Sequence, residues 1–160
     1  MSSLLRRARL LLALVGALCG ASGCGTWMFP IDLRLDAGVV RELRGAGKIL
    51  AEVEWDDTWG DVNIFGRILI VDGGEPDINT AVADVTARLE ELDWKVVSRH
   101  ANQIFLESGS WENVILGVER ADTFSFDESR EGRVGLTIQS ATKRSKNGTP
   151  VVMHVRPVES

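Results

Sequence analysis

The chain has 160 residues and a formal net charge of −5, a size that suits one domain with its own hydrophobic core. Such an acidic chain argues against nucleic-acid binding and against electrostatic docking onto anionic lipid. Its two cysteines are Cys19 and Cys24, so no later residue supplies a disulfide, a cysteine nucleophile or a thiolate metal ligand. The fold of the later residues must therefore rest on its core alone.

The N-terminus has the three parts of a secretory signal peptide. Arg6, Arg7 and Arg9 make a basic start, an apolar run without charge follows over residues 10–18, and small residues lead to Cys24. The apolar run is shorter than the roughly 20 residues that a membrane-spanning helix needs. We therefore predict a signal peptide over residues 1–23.

The end of this segment, Ala21-Ser22-Gly23-Cys24, resembles the lipobox of bacterial lipoproteins. In that family, small residues precede a cysteine that receives a diacylglycerol on its sulfur and becomes the first residue of the mature protein. The resemblance implies lipidation of Cys24 and stable anchoring, since two or more acyl chains hold a protein firmly to a membrane. It covers about the first 24 residues only, and plain secretion and an uncleaved anchor are the alternatives.

Residues 24–47 are predicted to be a lipidated N-terminus followed by a tether or a partly packed segment. Apolar and charged side chains alternate over residues 31–35, which is a strand pattern. Val39–Arg44 has room for one or two helical turns before Gly45 and Gly47 break the helix.

A single domain is predicted over residues 48–160. Lys48–Asp56 alternates as a half-buried strand, and Val62–Val71 returns as a second strand after a turn at Asp57–Gly60. The last part of the second strand, Ile68–Val71, is apolar on both faces and is therefore expected at the centre of a sheet. The apolar face of the first strand is predicted to carry Ile49, Ala51, Val53 and Trp55.

The clearest helix is predicted over about 77–92. Its apolar side chains recur every three or four residues and so form one stripe that a sheet must cover. Asp77 or Asn79 is expected to cap the first turn. Val85 and Leu89, at the centre of the stripe, are expected to be almost fully buried. The stripe consists of Ile78, Val82, Val85, Leu89 and Leu92.

The segment after this helix is predicted to begin with a hairpin. Trp94–Arg99 and Gln103–Ser108 flank a turn at His100–Asn102. Trp111–Arg120 is predicted as the next strand because Val114, Leu116 and Val118 alternate, while a helix is the competing interpretation.

Two more strands complete the prediction. Val134–Ile138 and Val151–Val155 both alternate, and the basic turn Lys143–Gly148 between them contains the Asn-Gly pair that favours hairpins. Runs of strands with one long helix predict the α+β class. We expect an antiparallel sheet of about 6–8 strands with one main helix (about 77–92) packed on one face.

One cluster combines aromatic and acidic side chains at the end of the first predicted strand. Two indoles among carboxylates suit a sugar, a cationic ligand or Ca²⁺, and paired acids suit glycoside hydrolysis. The simpler interpretation is a hairpin loop, with Trp55 in the core and the aspartates in turn positions. The cluster consists of Trp55, Asp56, Asp57, Trp59 and Asp61.

The sequence indicates no other chemistry. His100 falls in a predicted turn and His154 on the polar side of the last strand, so both are expected at the surface and not in a zinc site. The chain has no serine-nucleophile elbow, no phosphate-binding glycine loop and no dinucleotide fingerprint. We therefore predict no catalytic residue, no metal and no cofactor.

These features predict a lipid-anchored extracytoplasmic protein at the outer face of the plasma membrane, or on the periplasmic side in a Gram-negative cell. The expected partners are the membrane, through the lipid on Cys24, and an envelope protein or a small ligand, but no nucleic acid. The domain is interpreted as a non-enzymatic binding or interaction module. The alternatives are an envelope hydrolase or enzyme accessory that uses the Trp55–Asp61 loop, and a structural envelope subunit that assembles through a sheet edge.

Overall fold

The fold is one mixed sheet with helices on both faces. The structure is a computed structural model, and it describes residues 30–124, 128–145 and 149–159. The elements in chain order are β1 (Ile31–Arg34), α1 (Ala37–Leu43), a 3₁₀ turn (Arg44–Ala46), β2 (Lys48–Trp59), β3 (Val62–Asp72), α2 (Ile78–Glu91), β4 (Trp94–Arg99), β5 (Gln103–Ser108), β6 (Val114–Arg120), α3 (Glu128–Arg144) and β7 (Pro150–Pro157).

Strand β3 lies at the centre of the pairing. β2 pairs antiparallel with β3 along its whole length. The other edge of β3 is shared, because β1 pairs parallel with Val62–Phe65 and β7 pairs antiparallel with Arg67–Asp72. β6, β5 and β4 follow β7 in antiparallel order. Among the described strands, β1, β2 and β4 each pair with a single neighbour and are therefore the edges of the sheet.

Each face of the sheet is covered by different helices. On the α1/α2 face, the two helices bury Leu69 and Val71 of β3 together with Met153 of β7. On the α3 face, α3 covers Ile68 and Ile70 of β3. These four consecutive residues of β3 are fully buried, which is the placement that their apolar sequence predicts.

The structure confirms the predicted α+β class, the largely antiparallel sheet and the main helix. The helix predicted over about 77–92 is α2, and Val85 and Leu89 at the centre of its stripe are 0% exposed. Asp77 is its cap, since the carboxylate accepts hydrogen bonds from the Thr80 amide (2.8 Å) and the Thr80 hydroxyl (2.9 Å). Ala81 and Thr86 are buried as well, so the stripe is broader than predicted.

The strand predicted at Val134–Ile138 is wrong, because these residues lie within α3. Leu136 completes the alternating pattern in the sequence, yet it is 68% exposed. The side chains that pack on the sheet are Val134, Ile138 and Ala141, which are spaced by four and three residues as on one face of a helix. The start of the predicted Lys143–Gly148 turn is also wrong, because Lys143 and Arg144 belong to the last turn of α3. Residues 146–148 of that turn lie outside the described residues.

Two details of the first hairpin also differ from the prediction. The predicted turn at Asp57–Gly60 is wrong, because β2 continues to Trp59 and only Gly60 and Asp61 connect it to β3. Gly60 has φ +62°, which this tight connection needs and which glycine adopts without strain. A bulge next to Ile49 shifts the alternation of β2, so Ile49 packs on the α1/α2 face and not with Trp55 on the α3 face.

The remaining elements follow the sequence closely. Trp94–Arg99 and Gln103–Ser108 form the predicted hairpin, and the strand interpretation of Trp111–Arg120 is confirmed from Val114 onwards. Residues 31–46, predicted as a tether or a partly packed segment, form β1, α1 and the 3₁₀ turn, which places Val39, Leu43 and Ala46 in the core.

The packing of α2 can be tested with one buried and one exposed position. Leu89→Ala is expected to lower the free energy of unfolding by about 2–5 kcal/mol, through lost transfer energy and a residual cavity. Glu90→Ala, one position further round the helix and exposed, should change it by less than about 0.5 kcal/mol. Urea midpoints measure both values, and similar small shifts for the two variants would mean that the stripe does not pack on the sheet.

The cap of α2 makes folding pH-dependent. The hydrogen bonds from the Thr80 amide, and then from its hydroxyl, lower the pKa of Asp77 in the folded protein. Its contribution to stability is complete above the unfolded-state pKa of about 4 and is lost as the pH falls through the lower folded-state value. Asp77→Asn keeps an acceptor without a charge, so it should lose less stability between about pH 5 and about pH 2 than the wild type. Urea midpoints across this range measure the effect, and the control Glu91→Gln should keep the wild-type pH dependence. The cap assignment would be contradicted if Asp77→Asn also kept the wild-type pH dependence.

Candidate functional site

The predicted lipidation residue, Cys24, lies outside the described residues. The described chain enters the sheet at Ile31, whose amide donates a hydrogen bond to the Asp61 carbonyl at 2.8 Å. The N-terminal segment therefore joins the domain beside the β2–β3 turn. Among the described residues, no helix combines the length and the apolar composition of a membrane span.

The Trp55–Asp61 cluster is not a loop but the end of the β2–β3 hairpin. Its strand alternation places Trp55, Asp57 and Trp59 on one face and Asp56 on the other. Trp55 is in the core and 8% exposed, as the simpler interpretation expects, and it occupies the space that a side chain at Gly66 would fill. Trp59 at the tip is 79% exposed.

This arrangement separates the acids that the sequence brings together. Asp56 and Asp57 project from opposite faces, and Asp61 lies in the turn beyond both. Paired-carboxylate chemistry needs two acids that face one substrate, which adjacent strand residues do not provide. Over the described ranges, no three histidine, cysteine, aspartate or glutamate residues are grouped as metal ligands.

A different site is built by residues that sequence reasoning did not single out. Arg34 ends β1, Arg41 lies in the last turn of α1, Arg44 begins the 3₁₀ turn and Arg67 lies in the middle of β3. Their side chains line a groove of about 400 Å³ on the α1/α2 face of β2 and β3. We call this feature the arginine groove. It is also lined by Leu35, Ala37, Val40, Glu52, Glu54 and Phe65.

The parallel pairing of β1 with β3 positions Arg34. The register places Arg34 opposite Phe65, and its guanidinium lies 3.7 Å above the centre of the Phe65 ring. On the other side, Arg34 donates to the Asp32 carboxylate at 2.9 Å. Asp32 in turn accepts a hydrogen bond from the Asn63 amide at 2.9 Å. The bond from Asn63, followed by that from Arg34, lowers the pKa of Asp32, so the carboxylate that holds Arg34 stays charged.

Two glutamates on β2 hold the other side of the groove. Glu52 pairs with Arg44 at 2.8 Å and with Arg67 at 3.3 Å, and Glu54 pairs with Arg67 at 3.2 Å. Within the described chain, Arg41 forms no ion pair. With Asp32 beside Arg34, four guanidinium groups therefore stand against three carboxylates, which leaves a local excess of one positive charge on an acidic chain.

The helix that carries Arg41 is fixed by its neighbour Glu42. The Glu42 carboxylate accepts hydrogen bonds from the indole of Trp94 at 2.7 Å and from the indole of Trp111 at 2.9 Å. Trp94 begins β4 and is 1% exposed, so this contact ties α1 to the far end of the sheet. α1 thereby holds one wall of the arginine groove in place.

A second polar cluster lies on the α3 face of β5, β6 and β7. His154 was expected at the surface but is only 18% exposed, because its ring lies over Gly117 and packs edge-on against Phe105. The Gln103 amide contacts both His154 Nε2 (2.8 Å) and the Glu119 carboxylate (3.1 Å). Since these polar groups are hydrogen-bonded to one another, we interpret the cluster as part of the packing and not as a binding site.

The chain matches no protein-family model, and no curated protein and no solved structure matches it either. Of the clusters that the described residues form, the arginine groove indicates a class of ligand most directly, because guanidinium groups bind anions.

The role of Glu42 as the clamp of α1 can be tested by mutation. Glu42→Ala leaves two indole donors without their acceptor, so the free energy of unfolding should fall by about 1–3 kcal/mol. Glu42→Gln keeps one carbonyl acceptor and should cost less. Glu112→Ala removes an exposed glutamate and is the matched control. Urea midpoints would contradict the clamp if Glu42→Ala and Glu112→Ala were equally mild.

Proposed function

We propose that the chain is a lipid-anchored extracytoplasmic protein whose domain is a non-enzymatic binding module. The observation that carries this proposal is the short distance in sequence between the lipobox cysteine and the fold. Pro30, the first described residue, follows Cys24 by six residues, and an extended chain covers at most about 3.5 Å per residue. A lipid on Cys24 would therefore keep the domain within about 20 Å of the membrane.

The arginine groove supports the binding part of the proposal. It is concave and is lined by side chains that are held in place by ion pairs and by an aromatic ring. Guanidinium groups recognise anions in a directed, forked geometry. They stay protonated at physiological pH, so they hold an anion well but do not exchange protons as a general acid or base must. The groove is therefore better suited to binding than to catalysis.

The two alternative functions have less support from the described residues. The Trp55–Asp61 segment directs its acids to opposite faces, which is unfavourable for a hydrolase. The edge strands carry features that discourage strand addition, and β1 has only 4 residues. β2 has four acidic residues along its length, and β4 is short and has a register shift between Val96 and Ser98.

Lipidation of Cys24 is tested by labelling and fractionation. The wild type should incorporate labelled palmitate and remain on membranes after a carbonate wash, because several acyl chains resist extraction. Cys24→Ser should take up no label and should move to the soluble fraction. Cys19→Ser, which removes the other cysteine, should behave like the wild type. A Cys24→Ser variant that stays on washed membranes or takes up label would refute the anchor.

A further inference from the structure

The arginine groove has the charge and shape to recognise one class of ligand. We propose that it binds a phosphate monoester, either on a phospholipid of the membrane that holds the anchor or free in solution. The choice between these two sources rests on the proposed function, since only an anchored domain meets membrane headgroups constantly. The binding site itself rests on the described residues alone.

The arginines have hydrogen-bond donors to spare. A guanidinium carries five N–H donors in a planar fork. Arg34 and Arg44 each direct one nitrogen to a carboxylate, whereas Arg67 uses two. Arg41 is exposed and, among the described residues, pairs with no acid. Within the described ranges these four arginines make no other side-chain hydrogen bond, which leaves their remaining donors for a ligand in the groove.

The arrangement of the arginine donors suits a phosphate monoester better than a carboxylate. A phosphate monoester carries a charge of about −1.5 to −2 at pH 7 and three strong acceptor oxygens. Four guanidinium groups stand against the carboxylates of Asp32, Glu52 and Glu54, so the site is net positive, and its arginines approach from β1, from the α1 region and from β3. Donors that converge from three elements suit a tetrahedral group with three oxygens, whereas one flat carboxylate satisfies only a single fork.

The groove is also organised before a ligand arrives. Phe65 holds the plane of Arg34, and Glu52 holds both Arg44 and Arg67. Arginine side chains lose considerable rotamer freedom when they are fixed, so side chains that are already held bind an anion at a smaller entropic cost. Glu52 and Glu54 reduce the positive charge of the groove, but in exchange they fix its geometry.

The path of the chain gives membrane phosphate access to the groove. Arg34 follows Cys24 by ten residues, and β1 leads directly from the chain entry at Ile31 to Arg34. A lipid on Cys24 therefore confines the groove to a layer of roughly 35 Å above the headgroups. A tether of this kind converts headgroup binding into an intramolecular step with a high effective concentration, so even weak recognition would be populated.

The test uses the mature protein as the cell processes it, in a neutral detergent, and two probes that share one headgroup. Glycerol 3-phosphate is the free ester and phosphatidic acid in micelles is the lipid. Phosphatidylcholine micelles and acetate are the comparison ligands. Isothermal titration calorimetry should show saturable binding of at least one phosphate monoester and weaker binding of both comparison ligands. Binding of the lipid alone would assign the membrane as the source, and equal binding of both probes would show that the phosphate group suffices.

A charge-matched pair of variants separates the groove from the net charge. The variant Arg34→Gln/Arg41→Gln should weaken phosphate binding by about tenfold or more, since it removes two charge-assisted forks. The control Lys95→Gln/Arg99→Gln removes two exposed cations from β4 at the other end of the sheet and should change binding by less than about twofold. Arg41→Gln alone keeps the test independent of folding, because Arg41 supports no ion pair among the described residues, and it should also weaken binding.

Three results would overturn the inference: no saturable binding of either phosphate probe, equal binding of acetate, or equal weakening in the control variant. The outcome is distinct from that of the anchor experiment. Phosphate binding in detergent does not require Cys24 lipidation, so a failed anchor would leave the groove as a site for a free phosphate ester. An intact anchor with no phosphate binding would refute only the groove.

Discussion

The architecture depends on one constraint, which is that β3 has apolar side chains on both faces. Ile68, Leu69, Ile70 and Val71 are all fully buried, and their side chains point alternately to the two sides of the sheet. A strand of this kind cannot lie at an edge or on a half-exposed sheet, because either position would leave a row of apolar side chains in water. The chain satisfies the constraint with β2 on one edge of β3, with β1 and β7 on the other, and with helices above and below. The remaining contacts are arranged around this strand.

The shared edge of β3 also explains why the arginine groove exists. β7 pairs with β3 only from Arg67 onwards, so the first part of that edge is left for the four residues of β1. A strand this short ends beside Phe65, and the chain then turns over the sheet into α1 and the 3₁₀ turn. As a consequence, Arg34, Arg41 and Arg44 are brought from one N-terminal stretch to the side of Arg67. Packing of the N-terminal segment therefore completes both the core and the groove.

The sequence is informative where the packing of an element depends on local periodicity. The stripe of α2 and the two-sided apolar run of β3 could both be predicted, since each pattern has a single period and strong apolar side chains. α3 was missed because Val134, Leu136 and Ile138 happen to alternate, and a short apolar alternation does not distinguish a strand from a weak helix. The sequence of β3 argues for α3, because a strand that is apolar on both faces needs a covering layer on each face, and α2 alone covers only one face.

The arginine groove could not be predicted from local periodicity. Arg34 and Arg67 are far apart in sequence, and only the parallel register of β1 with β3 brings them to the same place.

The acidity of the whole chain and the basicity of the groove act over different distances. At physiological salt, charges separated by more than about 8 Å are largely screened, so a bound anion responds mainly to the guanidinium groups beside it. The net charge of −5 acts instead on the approach, where it slows the capture of anions from solution. A domain with this charge distribution is poor at collecting dilute anions but is able to hold one that is presented at close range. Attachment to a membrane surface would hold the groove close to headgroup phosphates, so binding would no longer depend on slow capture of anions from solution. The proposed anchor would therefore offset the effect of the net negative charge, and the proposed groove would supply the recognition.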